Sequence, residues 1–523
     1  MSRTLLKSTG ITGVSTLLSR ITGLVRDMAI TAAMGVGAYS DAFYVAYKIP
    51  NFLRRLFAEG AFSQSFVPVI SEYRLKRSEA EVKELAAGTA GTLGLVLLAI
   101  TLIGVIGAPV IVYLYANGFA RAGDNRYALA VEMLRWTFPY LLFISLTSLY
   151  AGVLNSYQKF ALPAFTQVIQ NVVLIAVAIW IATNSRNPGL VLSIGIFVSG
   201  VLQVLTLLPA VAGLRLLSWP RWRWRAEGVQ RILRLMVPGI VGSSMSQVSL
   251  LLDTVIASMF VTGSITWLYL ADRIMEFPLG VFSIALGTVI LPGLSMQHAK
   301  QDGEEFSDTL DWALRLTVML VAPAAIGMLF FAGPMVTALF GFRKMTLIDM
   351  QMSSWALMAY SWGLMTFSLI KVMAPGYYAR QDTKAPVRAA IKALVLNMTL
   401  NVCVAWPASR LGFIAPHILI ATSTCVSSAL NAFLLWRGLR RSGVYHPTHL
   451  WARLLPRVLL ACVVMAALLW WLNGSLADWM AMRQWARLLR CLGGIAAAAA
   501  LYFAVLWLTG LRPQDLRHRR AAT

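Results

Sequence analysis

Apolar residues run in stretches of about 20 along nearly the whole chain, separated by short polar and basic connectors; that is the length a helix needs to cross a bilayer's hydrocarbon core. The stretches cover residues 10–34, 41–66, 90–114, 128–153, 161–183, 189–214, 232–260, 265–292, 311–339, 350–374, 385–406, 413–436, 454–472 and 489–509. They predict an all-α polytopic membrane protein of about fourteen transmembrane helices, because a segment in lipid must satisfy its own backbone groups. The second and eighth stretches are broken by charges and prolines. Lys and Arg gather in alternate connectors: Arg74 to Lys83, Arg215 to Arg231, Arg380 to Lys384, Arg437 to Arg441 with Arg453, and the tail Arg512 to Arg520. The positive-inside rule then places both termini in the cytoplasm. The basic start, Met1 to Lys7, is followed by no small-residue cleavage site, so the first span is expected to be retained.

A weak internal repeat appears when the chain is compared with itself. Gly13 and Asp27 match Gly239 and Asp253 at an offset of 226, Pro68 and Ser71 match Pro292 and Ser295 at 224, and Ala151, Gln158 and Pro163 match Ala374, Gln381 and Pro386 at 223. Two halves with an even number of spans are parallel repeats, related by an axis along the membrane normal. The expected layout is an N-lobe of six helices at 1–228, a C-lobe of six at 229–445, and a C-terminal helix pair with a basic cytoplasmic tail at 446–523.

Composition excludes a soluble globular domain. Of 523 residues, 58% are hydrophobic and 13% charged, with a mean hydropathy of +0.69, whereas soluble domains carry about 25% charged residues. The net charge of +23 follows from the connectors, so it calls for no nucleic acid. The Trp and Arg run from Trp219 to Arg225 lies beside a span end and reads as an interfacial anchor rather than a stacking platform. Cys403, Cys425, Cys462 and Cys491 lie inside apolar runs without CxxC spacing, as core residues do. Nucleotide loops and zinc-protease motifs are absent and the five histidines are scattered, so neither an enzyme nor a bound cofactor is expected. Transport would draw on a sodium or proton gradient, the membrane potential or the substrate's own gradient.

The informative residues are ionisable groups inside the spans, each costing about 2.5–3.5 kcal/mol at the bilayer centre. In the first span Thr12, Thr16, Ser19, Arg20, Gly23, Arg26 and Asp27 share an arc of about 120°. Leu17, Leu18, Ile21, Leu24, Val25 and Met28 fill the other side, so the polar arc is expected to face a cavity. The second span adds Asp41, Lys48, Arg54, Arg55 and Glu59; the eighth has a stripe of Tyr269, Asp272, Arg273 and Glu276; Lys371 lies in the tenth. The first two spans hold five cations and three anions, a surplus of two positive charges. Such charges can serve only to lock helices together or snorkel to the interface, but internal pairing here leaves cations over. Arginine's planar fork suits phosphate oxygens, so an anionic ligand, phosphorylated or carboxylated, is expected. The second half keeps Asp253 in place of Asp27 but has Leu252 and Ser246 in place of Arg26 and Arg20, which makes the basic site asymmetric.

The stretches SRITGLVRD at Ser19 to Asp27 and SDAFYVAYKIPNFLRRLFAEGAFSQSFVPVISE at Ser40 to Glu72 closely resemble the MurJ (MviN) family of lipid II flippases. So do ADRIMEFPLGVFSIALGTVILP at Ala271 to Pro292 and KVMAPGYYARQDTKAPV at Lys371 to Val387, and the resemblance extends over essentially the whole chain. It implies a fold of the multidrug/oligosaccharidyl-lipid/polysaccharide exporter type, with two six-helix lobes, two extra helices bordering a hydrophobic groove, and a central cavity that opens to either face in turn. It implies a bacterial inner-membrane protein that moves undecaprenyl-pyrophosphate-linked disaccharide-pentapeptide, lipid II, from the inner to the outer leaflet, among membrane lipids and alongside the cell-wall synthesis machinery. Family arginines implicated in pyrophosphate binding match Arg20, Arg26, Arg54 and Arg273, and acidic partners match Asp27 and Asp41; Ser19 and Glu59 adjoin them. A cation site described in some members falls near Asp253, Asn397 and Asn401, with Asn401 where a carboxylate is expected.

Two other readings compete. A cation-coupled exporter of amphipathic small molecules shares the fold but calls for an acidic or aromatic cavity, which the basic first half does not supply. A membrane scaffold for wall assembly would tolerate loss of the intramembrane charges and leaves their surplus unexplained.

Overall fold

The computed structural model describes residues 3–55 and 62–511; Glu59 and the basic tail lie outside them. All regular structure among the described residues is helical. The first half runs α1 (Arg3–Met34), α2 (Ala38–Arg54), α3 (Ser63–Lys76), α4 (Glu79–Ile106), α5 (Ala108–Tyr115), α6 (Asn117–Arg121), α7 (Arg126–Thr137), α8 (Tyr140–Ser156), α9 (Ala161–Trp180), α10 (Pro188–Ala212) and α11 (Glu227–Ala257). There follow α12 (Ser264–Pro278), α13 (Ala285–Ala299), α14 (Gly303–Phe330), α15 (Ala332–Phe340), α16 (Leu347–Tyr378), α17 (Lys384–Leu400), α18 (Trp406–Arg410), α19 (Pro416–Arg441), α20 (Leu450–Asn473), α21 (Leu476–Ala481) and α22 (Gln484–Leu508). Local chemistry fixes several starts. Ser78 and Glu81 close a capping box on α4, Thr346 and Asp349 another on α16, and the Asp302 carboxylate accepts from Glu305 N at 2.9 Å to begin α14.

Eleven helical segments among the described residues are long and apolar enough to cross a membrane. The expected spans at 10–34, 41–66 and 232–260 fall on α1, on α2 with α3, and on α11, which are helices outside that set of eleven. Two segments pass through π-helical turns, Leu279–Ile284 between α12 and α13 and Asn401–Ala405 between α17 and α18. An extra residue per turn of this kind rotates the side chains that follow it.

The chain separates into two compact units, Met1–Thr266 and Trp267–Thr523, and the division falls within α12. In the first unit α1 packs along α9 and touches α10, α2 lies against α7, α8 and α10, and α11 packs on α3, α4 and α5. The Trp219–Arg225 connector lies over α4, where Arg221 N donates to Ala87 O at 3.1 Å and Arg223 N to Thr92 Oγ1 at 3.2 Å. Gly91 makes room for it, since a β-carbon there would run into the Arg221 backbone. Trp219, Trp222 and Trp224 remain exposed.

In the second unit α16 packs on α13, α14 and α19, and α17 on α19; Leu294, Leu310, Val372 and Leu439, from α13, α14, α16 and α19, share one core. The α20–α22 pair is joined to α14 and α15 through a separate core that includes Met319, Phe331, Trp479 and Tyr502. Arg487 anchors α22 from inside, donating to Thr337 O at 3.4 Å and Gly341 O at 2.5 Å at the end of α15.

One local motif recurs at the offset read from sequence. Gln158 and Gln381 both take the left-handed conformation, at φ 60° and 59°. Behind them Lys159 N donates to Leu154 O at 3.0 Å, and Asp382 N donates to Tyr377 O at 3.1 Å. Both are helix ends closed by a reversed residue, the usual solution for orphan carbonyls.

Candidate functional site

The polar arc of α1 takes two environments. Ser19 and Arg20 are half-buried, and Arg20 makes no ion pair among the described residues. One turn deeper, Gly23, Arg26 and Asp27 are packed into the unit, with Arg26 8% and Asp27 1% exposed. At Arg26 and Asp27 the arc is packed where α1 runs along α9. Leu18, Ile21 and Val25 are exposed on the other side, as the helical period predicts.

Arg26 donates from Nε and Nη2 to Asp27 Oδ1, at 2.9 and 2.7 Å, and from Nη1 to Asn171 Oδ1 on α9 at 3.1 Å. The Asn171 amide in turn donates to Ser19 O at 3.1 Å and Thr22 Oγ1 at 3.0 Å. This chain ties a buried ion pair to the turn of α1 that carries Arg20. Each charge in it is compensated by a charged or amide partner, which is what burial in low dielectric demands. Asn171 was not singled out from sequence, and its only signal was an amide inside an apolar span.

Asp41 is fully buried on α2, and its carboxylate accepts from Gly263 N at 2.7 Å, Thr266 N at 3.0 Å and Thr266 Oγ1 at 2.6 Å. Arg126 approaches it at 3.8 Å while bonding Asp124 at 2.6 Å. These contacts make Asp41 an anchor for the start of α12, with a negative charge at a helix N-terminus where the dipole favours one. Lys48, about two turns further along α2, donates to Thr254 Oγ1 on α11 at 3.2 Å. Arg54 donates from Nε and Nη2 to Asn51 Oδ1, at 3.0 and 2.8 Å. Asp253 is half-buried on α11.

In the second unit Arg273 is half-buried and bonds Glu276 at 3.0 Å, one turn along α12. Asn397 and Asn401 are buried, and Asn401 Nδ2 donates to Asn397 Oδ1 at 3.3 Å where the π-helical turn begins. The two amides present oxygen donors of the class that suits a hard cation. No group of three or more His, Cys, Asp or Glu side chains is placed to hold a metal among the described residues.

A second polar hub was missed from sequence. Asp311 on α14 is 0% exposed and accepts from Arg315 Nε at 2.8 Å, Tyr445 Oη at 2.9 Å, Thr448 Oγ1 at 2.7 Å and Trp451 Nε1 at 2.6 Å. Burial first, and then the adjoining carboxylate, raise the Tyr445 hydroxyl above its ordinary range, so it stays a donor. The hub fastens the connector ahead of α20 to α14. Its sequence signal was Asp311 and Arg315 four residues apart in an otherwise apolar span.

A family model described as "Lipid II flippase MurJ" matches residues 30–489. The chain belongs to the MurJ family. A MurJ protein of Vibrio cholerae serotype O1, named "Probable lipid II flippase MurJ", is 43% identical over 99% of this chain and 98% of its own length. The "Lipid II flippase MurJ" of Burkholderia cenocepacia is 40% identical over 96% of this chain and 97% of its own. The MurJ fold is shown by a solved structure titled "Lipid II flippase MurJ, inward closed conformation", with a TM-score of 0.78 at 23% identity over 96% of this chain and 99% of that one. A multidrug resistance MATE family transporter of the MOP superfamily, solved in an inward-facing conformation, has a TM-score of 0.63 at 15% identity over 82% of this chain and 95% of that one. MurJ is thus a family of multi-pass membrane flippases rather than of catalysts, and it shares its architecture with MATE exporters.

Proposed function

We propose that this protein moves lipid II from the inner to the outer leaflet of the bacterial inner membrane by alternating access, with both termini in the cytoplasm. The observation that carries the reading is full-length kinship with proteins named lipid II flippase, at 43% and 40% identity. Physical chemistry says what such a protein must do. The prenyl tail is at home in hydrocarbon, but a pyrophosphate with its sugars and peptide cannot cross without replacements for water.

In this reading Arg20 and Ser19 meet the headgroup, together with Arg54 and Arg273, and the bidentate fork of each arginine matches phosphate oxygens. Arg26 and Asp27 act one step back: through Asn171 they fix the α1 turn that presents Ser19 and Arg20. Asp41 sets the start of α12 rather than touching cargo, and Glu59 lies outside the described residues. The return stroke is driven by an ion gradient or the membrane potential, with the oxygens of Asp253, Asn397 and Asn401 as the cation donors.

The test is leaflet accessibility of labelled lipid II in cells depleted of the native flippase and rescued by variants of this chain. Arg20→Ala and Arg273→Ala are expected to insert normally yet leave the precursor on the inner side. If all rescued cells expose it normally, the assignment of these arginines fails. If the unmodified chain cannot restore exposure, the flippase reading fails with it.

A further inference from the structure

A cleft of about 290 Å³ opens in the second unit where α16 ends, α17 begins and α19 ends. Tyr377, Arg380, Asp382, Arg388, Lys392 and Ser442 are the polar residues that line it. All three helices lie in segments long and apolar enough to cross a membrane, and the cleft is at their ends, the part of a spanning helix that meets the headgroup layer. Its shape and chemistry belong together. The volume is at the lower end for a small-ligand site, suited to a headgroup rather than a whole lipid.

The charges are not used up internally. The one anion in the wall, Asp382, accepts from Lys384 N at 3.1 Å and Ala385 N at 3.0 Å and so begins α17. Arg380 reaches Ser442 Oγ at 3.4 Å. None of Arg380, Arg388 and Lys392 forms an ion pair among the described residues. The start of α17 adds the positive end of a helix dipole to the same wall.

Nor does the fold require these cations. At the repeat offset of 223, the positions of Arg380, Arg388 and Lys392 are held in the first unit by Tyr157, Phe165 and Ile169, although the same reversed glutamine closes the preceding helix in both units. Lys392 is also expensive where it stands. It lies eight residues into the segment Lys384–Arg410, beside the exposed Ile391 and Val395, where an uncompensated ammonium in hydrocarbon costs about 2.5–3.5 kcal/mol. Its long stem lets the charge reach the cleft.

We propose that this cleft binds a phosphate group at the membrane surface, carried by the headgroup of an anionic lipid, at a site separate from Arg20 and Arg273. Arg388 and Lys392 hold the phosphate from the α17 side and Arg380 from the α16 side. The site stands whether or not the flippase reading holds, because it rests on the cleft's own residues.

The test uses the full-length protein in neutral phosphatidylcholine nanodiscs, with phosphatidylglycerol titrated in and bound lipid counted by native mass spectrometry after release. Arg388→Gln/Lys392→Gln is compared with Lys83→Gln/Lys300→Gln, which removes the same charge from exposed positions elsewhere. At about 1 kcal/mol for each cation at the membrane surface, the cleft variant is expected to bind phosphatidylglycerol more than tenfold less tightly. The control pair should bind as the unmodified protein does. A parallel arm adds inorganic phosphate or pyrophosphate. Displacement of the lipid by these anions only at high concentration supports a lipid headgroup, while tight binding of the soluble anion with no lipid preference supports the phosphate site with a free ion as its occupant. Equal retention of lipid and anion by the cleft variant, the control and the unmodified protein overturns the proposal. Unchanged far-UV circular dichroism and thermal unfolding keep misfolding from imitating the expected loss.

Discussion

Replacing Asp41 separates an anchoring role from a cargo-binding one. Its carboxylate holds three donors at the start of α12, two of them backbone amides at a helix N-terminus, where amides have no intrahelical acceptor. Asp41→Ala removes all three bonds and leaves buried amides behind. Arg126 retains Asp124 at 2.6 Å, so no buried cation is orphaned. With bonds to a charged group worth about 1.5–3 kcal/mol each and not additive, the expected loss is about 4 kcal/mol. Asp41→Asn keeps one carbonyl oxygen and should lose about 2 kcal/mol. For a unit of this size about 2 °C of unfolding temperature follows each kcal/mol, which gives shifts of about 8 °C and 4 °C. The measurement is intrinsic tryptophan fluorescence of purified protein during heating, paired with lipid II binding well below the transition. The anchoring argument requires both variants to be destabilised in that order and to bind cargo normally once folded. Asp41→Ala unfolding within about 1 °C of the unmodified protein while losing lipid II binding would refute it.

Three further outcomes follow from the same geometry. Asp311→Ala breaks four side-chain bonds at one buried carboxylate and should cost about 4 kcal/mol; limited trypsin digestion should then cut at Arg440 or Arg441 far faster, with α20 to α22 released from α14. Gly91→Ala puts a β-carbon into the Arg221 backbone, so cysteine-accessibility labelling of an introduced Thr92→Cys, at a buried position on α4 that the connector bonds, should rise sharply, whereas Gly94→Ala, which meets nothing within 4 Å, should change little. The hydrogen bond from Arg231 holds the Glu72 carboxyl below its ordinary range. Its stabilisation is therefore present above that range and is lost as pH falls through the lowered value, so hydrogen exchange at the α3–α11 contact should speed up on acidification in the unmodified protein and vary less in Glu72→Gln.

What the sequence could and could not disclose divides along physical lines. Apolar length is a property of single segments, so the helices and most of the spans were legible, and so were the residues that violate apolarity. The long motifs around Arg20 and Arg273 carried the family. Partnership is a property of pairs distant in the chain, and it was not legible. Arg26 and Asp27 read as half of a charged cavity because an amphipathic arc says only that something polar lies opposite; Asn171, 145 positions away from Arg26, turned out to be that partner. Asp41 read as an acidic neighbour of arginines, and the donors that hold it come from more than 220 residues later. Of the cations in the α16–α17–α19 cleft only Arg380 was read from sequence, as part of a positive connector; the fold places Arg388 and Lys392, inside the span that follows, beside it. An ionisable residue in a span is thus a reliable sign that a compensating group exists. A neighbouring helix and a ligand are told apart by the bonds at each carboxylate and guanidinium: Arg26 and Asp41 are bonded to Asn171 and to the start of α12, while Arg20, Arg388 and Lys392 make no ion pair among the described residues.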